Sequence, residues 1–272
     1  MASAQVTGTT AQRPHTDGGA GSRGRARDWA EIQERMLVPL YQAVYRRLEV
    51  GPATSLLGLG CRSGLALLLA AERGAQVAGL EPEEELRELA EGRHLRVAAA
   101  GGIDRSEQGV PRSAYSLVTV FEQLTYVRDP ARLVVEAAGR TLQGGQVVLA
   151  SWGPPERCES ASVLEVARRR SGRAQTPDPF ALSAPGVLEL LCAGAGLRPA
   201  GSGRVSCPFA YPELDSAVRG MLATGLYEAA IEEWGPALVA KELEEALHPY
   251  VQPDASVRMA NVFRYVVADQ PR

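Results

Sequence analysis

Between residues 54 and 152, short apolar runs alternate with stretches of helical periodicity, and this alternation constrains the fold more than any other feature. The runs are TSLLGL (54–59), QVAGL (76–80), LRVAAA (95–100), SLVTVF (116–121) and GGQVVLASW (144–152). Between them lie helical segments: Ser63 to about Arg73, EEELRELAEG (83–92) closed by Gly92, and DPARLVVEAAGRTL (129–142) capped by Asp129. Strands joined by crossover helices run parallel, and a parallel sheet is covered by helices on both faces. The pattern therefore predicts a doubly wound α/β sheet with strands centred near residues 57, 78, 97, 118 and 148.

The flanks extend this core. From Asp28, read as an N-cap, Trp29, Ile32, Met36, Leu37, Leu40, Tyr41, Val44 and Tyr45 recur at helical spacing until the Gly51-Pro52 breaker. Beyond Trp152 the rhythm turns mostly helical, with helices expected at 160–171, 184–196, 213–224 and 227–247 and a short strand at 203–208. The alternating, β-branched tail 256–269 reads as a last strand returning to the same sheet. The expected organisation is a disordered leader over 1–26, a cofactor-binding α/β core with its N-terminal helix over 27–152, and a helical cover over 153–272. That last part also carries the final two strands of the same domain.

Bulk properties exclude several classes. A net charge of −3 does not mark a nucleic-acid binder, and the basic runs Arg23, Arg25, Arg27 and ARRRSGR (167–173) read as a solvated tail and a helix end. No apolar run is long enough to cross a bilayer, and the amino terminus lacks the charged-then-apolar layout of a secretory signal. Cysteines 61, 158, 192 and 207 show no metal-ligand spacing, which fits a reduced cytoplasmic setting and no metal site. The Ala, Arg and Gly richness fits a high-GC bacterial origin.

Two short stretches carry the chemistry. SLLGLGCRSG (55–64) is a strand running into a glycine turn, and QVAGLEP (76–82) is a strand ending in an acid. A turn at the carboxyl end of the first strand lies where such sheets bind ligands, and Gly60 and Gly64 let backbone and ligand approach closely. Glu81, 21 residues beyond Gly60, stands where a carboxylate accepts hydrogen bonds from the ribose hydroxyls of an adenosine. A dinucleotide fingerprint would put its third glycine at position 63, which is Ser63 here.

That spacing resembles the first motif of class I S-adenosylmethionine-dependent methyltransferases. The similarity continues through QVAGLEP, through YSLVTVFEQLTYVRDPARLVVEAAGRTLQGGQVVLASWG (115–153) and through WGPPERCE, PFALSAPGVLELLCAGAGL and NVFRYVVA. The chain thus resembles the ubiquinone/menaquinone-type small-molecule branch over about residues 28 to 269. The resemblance implies a mostly parallel seven-stranded, Rossmann-like sheet, with S-adenosyl-L-methionine held by Gly58, Gly60, Cys61, Gly64, Glu81, Pro82 and Phe121. The first motif is degenerate. The family usually has an acid where this chain has Gly58 and a glycine where it has Arg62, and the acids after the third strand and opening the fourth are replaced by Ala98, Ala99 and Ser116. The first carboxylate after the third strand is Asp104.

Methyl transfer mainly needs alignment of donor and acceptor, with a base where a hydroxyl is methylated. Candidates for that base are Glu122 and Tyr126, beside their plain roles as helix-cap and surface residues, and His248 in LHPYVQPD. Trp29, Tyr41 and Tyr45 on the first helix pack on the sheet or line a substrate cleft. The expected function is methyl transfer to O or C of a small apolar or aromatic acceptor, without nucleic-acid or membrane partners. The alternative is a methyltransferase-fold protein that no longer methylates: a cyclase or rearrangement catalyst, or a binding or scaffold protein. A nicotinamide-dependent oxidoreductase is a third class, disfavoured by the glycine spacing.

Overall fold

The computed structural model describes residues 18–99, 115–170 and 177–272. Five strands follow the sequence pattern: β1 Ser55–Leu59, β2 Gln76–Leu80, β3 Val97–Ala98, β4 Tyr115–Val120 and β5 Thr141–Trp152. They alternate with α3 Leu65–Ala71, α4 Glu84–Gly92 and α5 Pro130–Arg140. β6 Arg198–Ser206 and β9 Val262–Asp269 complete a seven-stranded sheet of order β3-β2-β1-β4-β5-β9-β6. β1 to β5 pair in parallel, while β9 runs antiparallel between β5 and β6. The fold is the Rossmann-like methyltransferase fold, and the sheet order reverses between β1 and β4.

Side-chain alternation distributes the core over both faces. Leu57, Leu59, Val118, Val120, Val147 and Leu149 pack under α5 and α7 Val187–Gly194. Leu56, Leu117, Val148 and Ala150 face the other layer, which holds α2 Val38–Arg47, α3, α6 Ser160–Arg170 and the later helices. Asp129 caps α5, accepting the amide of Arg132 at 3.0 Å.

Several expectations are corrected. The sequence predicts a leader over 1–26, but α1 spans Gly18–Asp28; residues 1–17 lie outside the described residues, as does Asp104. Tertiary contacts make this glycine-rich segment helical: Ser22 donates to Glu85, and Arg25 pairs with both Glu83 and Glu228. Asp28 is consequently mid-helix rather than an N-cap, and its carboxylate pairs with Arg219. The chain continues through a π-helical turn, Trp29–Gln33, and a 3₁₀ turn, Glu34–Leu37, before α2.

The helix expected over 227–247 is two, α9 Glu228–Trp234 and α10 Pro236–Leu247, broken where Gly235 takes φ +83° before Pro236. The tail is likewise two strands. β8 Val257–Met259 pairs with β7 Phe209–Tyr211 in a separate ribbon, and only β9 joins the main sheet. Buried Asn261 sits at the transfer, accepting the Ser160 amide and donating to the Ser160 hydroxyl. α8 Leu214–Ala223 packs behind the ribbon and against Trp29–Gln33.

Candidate functional site

The turn after β1 abuts the end of β2. Gly60 and Cys61 both direct their amides to the Leu80 carbonyl, at 2.8 and 3.1 Å. Gly60 and Gly64 hold φ of +65° and +85°, a region in which a side chain would be strained. Glu81 follows immediately and is fully buried. One of its oxygens accepts the Arg62 amide at 2.7 Å and the other accepts the Glu83 amide at 3.0 Å. Burial raises its pKa, partly opposed by the Arg62 cation.

Arg62 dominates this cradle. Its backbone lies at φ +52°, in the left-handed region where a non-glycine residue costs about 1–3 kcal/mol. Its side chain is buried, with the guanidinium carbon 4.9 Å from the centre of the Trp29 ring and 4.3 Å from that of Tyr126. Nη1 donates to Glu83 at 2.6 Å. Nε and Nη2 have no hydrogen-bond partner among the described residues.

A second buried acid braces the turn from the N-terminal layer. Glu34 bonds the Ser63 hydroxyl and accepts the Leu65 amide and Arg93, each at 3.3 Å. Burial pushes its carboxyl upward against these partners.

Next to the cradle is a small cavity of about 30 Å³ between the N-terminal helices and the ends of β4 and β5. Phe121, Trp152, Phe209 and Phe263 form its aromatic wall, with Trp152 4.4 Å from Phe263 and 5.6 Å from Phe209, centroid to centroid. Glu122 opens onto it and accepts a 2.6 Å hydrogen bond from the Tyr41 hydroxyl. Burial, more than the opposing Arg62 charge and Tyr41 hydrogen bond, brings the Glu122 carboxyl up to about 7. Two further lining groups, Trp29 Nε1 and Ser151 Oγ, are buried and lack partners among the described residues. A larger groove of about 810 Å³, beside Arg35, Tyr211 and Arg258, shares no lining residue with this cavity and is open to solvent.

The structure brings together Gly60, Gly64, Glu81, Phe121, Glu122, Tyr126 and Trp29 around the cradle and cavity. Tyr41 is adjacent, holding Glu122 and packing at a tilt on Phe121, with ring centroids 4.9 Å apart. Others lie elsewhere. A Cβ on Gly58 would press on Leu67 and Cys61, Cys61 points under β2 towards Gly79, and Pro82 is exposed. Tyr45 does not line the cavity: it is buried and donates to the Ala66 carbonyl. His248 is exposed at the end of α10, away from the cavity. Glu34, Ser151, Phe209 and Phe263 carry no sequence signal, because each reaches the site from a different element, whereas Gln123 directly follows Glu122. Among the described residues no cluster of His, Cys, Asp or Glu is arranged to hold a metal ion.

A comparison with protein families matches residues 24–182 to the family described as "Methyltransferase domain". The chain belongs to this family, whose match covers more than half of its length. Solved structures agree at the level of fold. The YcgJ protein of Bacillus subtilis superposes with a TM-score of 0.55 at 14% identity, covering 85% of this chain and 98% of its own. Geranyl diphosphate methyltransferase in complex with SAM gives 0.52 at 17% identity, covering 94% and 92%. The [4+2]-cyclase SpnF gives 0.53 at 16% identity, covering 85% and 80%. A comparison with curated proteins finds no match.

Proposed function

We propose that this chain is an S-adenosylmethionine-dependent methyltransferase that acts on an oxygen or carbon of a small apolar or aromatic molecule. The observation that carries the reading is Glu122: a carboxyl brought to about 7 by burial, oriented by Tyr41 and opening on an aromatic-walled cavity beside the cradle. A base with that pKa accepts a proton from a phenol or enol near neutral pH. Trp29 Nε1 and Ser151 Oγ supply hydrogen bonds to the polar end of the acceptor, and Phe121, Trp152, Phe209 and Phe263 contact its apolar body. The family match and the small-molecule-branch resemblance support the same reading, as does the neighbour solved in complex with SAM.

The adenosyl group fits the backbone here but not the side chains. The Gly60 turn and the Glu81 carboxylate lie side by side at the ends of β1 and β2. Arg62, however, fills the slot beside them, and Gln123 lies where a Cβ on Gly60 would be. The cavity of about 30 Å³ is an order of magnitude below the roughly 300 Å³ at which ligand pockets begin. With Arg62 and Gln123 displaced, the Gly60 turn and Glu81 would hold the cofactor, which would supply an electrophilic methyl group, while Glu122 would take the acceptor's proton.

The test is transfer of labelled methyl from S-adenosylmethionine to a panel of phenols and enols by the full-length chain. Label in a product, lost about 100-fold in Glu122→Gln, is the expected outcome; label transfer indifferent to that substitution removes Glu122 from the mechanism. A second reading is favoured by the filled cradle: a cyclase or rearrangement catalyst, or a binding protein, that no longer methylates. The cyclase among the structural neighbours has the same fold. A cytoplasmic bacterial setting fits both readings, and among the described residues no helix is long and apolar enough to cross a membrane.

A further inference from the structure

Arg62 is the one residue of the cradle whose placement ordinary packing does not explain. A buried arginine kept for structure alone normally has its fork of donors satisfied, yet here Nε and Nη2 find no partner among the described residues while the backbone is strained at φ +52°. Its charge is nevertheless well accommodated. Burial opposes the cation, but Tyr126, Glu83, Glu122 and Glu81 together more than offset this and raise its pKa. The guanidinium lies over two aromatic faces, those of Trp29 and Tyr126. The surroundings are thus a slot for a flat cation, rich in carboxylates, at the carboxyl ends of β1 and β2.

We infer that Arg62 is a resident plug of the cofactor cradle, holding the place of the ligand between Trp29 and Tyr126 and leaving it when an adenosyl ligand enters. This inference rests on the cofactor assignment proposed above. The exit is short. The guanidinium donates to Glu83, whose side chain is 38% exposed at the rim of the site, and otherwise meets the Tyr126 side chain. Glu83 also binds Arg25 of α1 through its other oxygen, so the anchor belongs to the edge of the cradle rather than its floor. Cofactor affinity is then set by competition between the ligand and the chain's own side chain, and weakening either the guanidinium or its anchor strengthens binding.

The experiment is calorimetric titration of the full-length protein with S-adenosylhomocysteine, for the wild type, Arg62→Gly and Glu83→Gln. Glycine tolerates φ +52° without strain, so Arg62→Gly is expected to fold, and Glu83→Gln leaves the turn's sequence intact. Tryptophan fluorescence of the unliganded proteins is read in parallel, because Arg62 stacks on Trp29. The expected result is binding at least tenfold tighter in Arg62→Gly, a smaller gain in Glu83→Gln, and a changed emission in both. Equal affinity in wild type and Arg62→Gly would overturn the plug while leaving the cofactor reading standing. Binding by Arg62→Gly alone would overturn the displacement, because the side chain then never yields to the ligand, and would end the methyl-transfer reading for the wild type. Absence of binding in all three proteins overturns both.

Discussion

At the residue scale the site is a set of buried acids with different duties. Glu122 holds its proton to about pH 7 in the folded chain, against 4.5 for an ordinary glutamate. Between those two values the folded state binds more protons than the unfolded one, so stability falls as pH rises from about 4.5 to 7. The loss is at most about 3 kcal/mol for this group. Glu34 and Glu81, raised in the same direction, add the same sign, so the informative quantity is a difference between proteins. Denaturant unfolding at pH 5 and pH 8 should show a smaller decline in Glu122→Gln than in the wild type, and equal declines would mean that Glu122 is ionised in the fold. Glu81 combines structure with binding, because its carboxylate holds the amides of Arg62 and Glu83. Glu81→Ala should therefore lower the unfolding free energy by about 2 kcal/mol or more even without ligand, through two amides left unpaired. An unchanged denaturation midpoint would show that the turn is held by something else.

At the element scale, α1 is the sharpest departure from sequence expectation. Its residues, GGAGSRGRARD, have poor helix propensity and no apolar period. Charge pairing with α4 and α9 offsets that deficit, through Arg25 to Glu83 and Glu228. Gly21 and Gly24 have no atom within 4 Å of where a Cβ would stand. Gly21→Ala and Gly24→Ala should each stabilise the protein by about 0.5–1 kcal/mol, since both remove backbone freedom from the unfolded chain without a clash. No gain in either variant would mean that this segment is not helical in solution. The cap of α5 is a simpler case: Asp129→Ala should cost about 1 kcal/mol, read from chemical denaturation.

At the scale of the whole molecule, the helical half is not an appendage. β9 inserts between β5 and β6, pairing Gln146 with Asp269 at one end and Trp152 with Phe263 at the other. Buried Arg264 of β9 reaches the carbonyls of Ser183 and Ala184 and both carboxylate oxygens of Glu189, joining α7 to the sheet. The two parts of the chain should therefore unfold in one calorimetric transition. A chain ending at residue 182, where the family match ends, should fail to fold, because it leaves the whole inner edge of β5 unpaired. Two separate transitions, or a soluble, folded 1–182 fragment, would show that the halves are independent.

How far the sequence alone reaches follows from the range of the interactions involved. Strands β1, β2, β4 and β5, the Gly60 turn and the acid at the end of β2 were legible because hydrophobic period, glycine conformation and strand-end position are local properties of the chain. Glu122 and Tyr126 are legible as candidates from their position after the fourth strand. The elevated Glu122 pKa was not readable, because it depends on burial beneath helices distant in sequence. The same holds for Ser151, Phe209 and Phe263, which share a cavity only after β9 returns to the sheet. Arg62 marks the boundary between the two kinds of information. Its oddity in the glycine turn is visible in the string of letters, but a guanidinium is solvated or buried according to what covers it. Trp29 and Tyr126, 33 residues before it and 64 after it, decided that one.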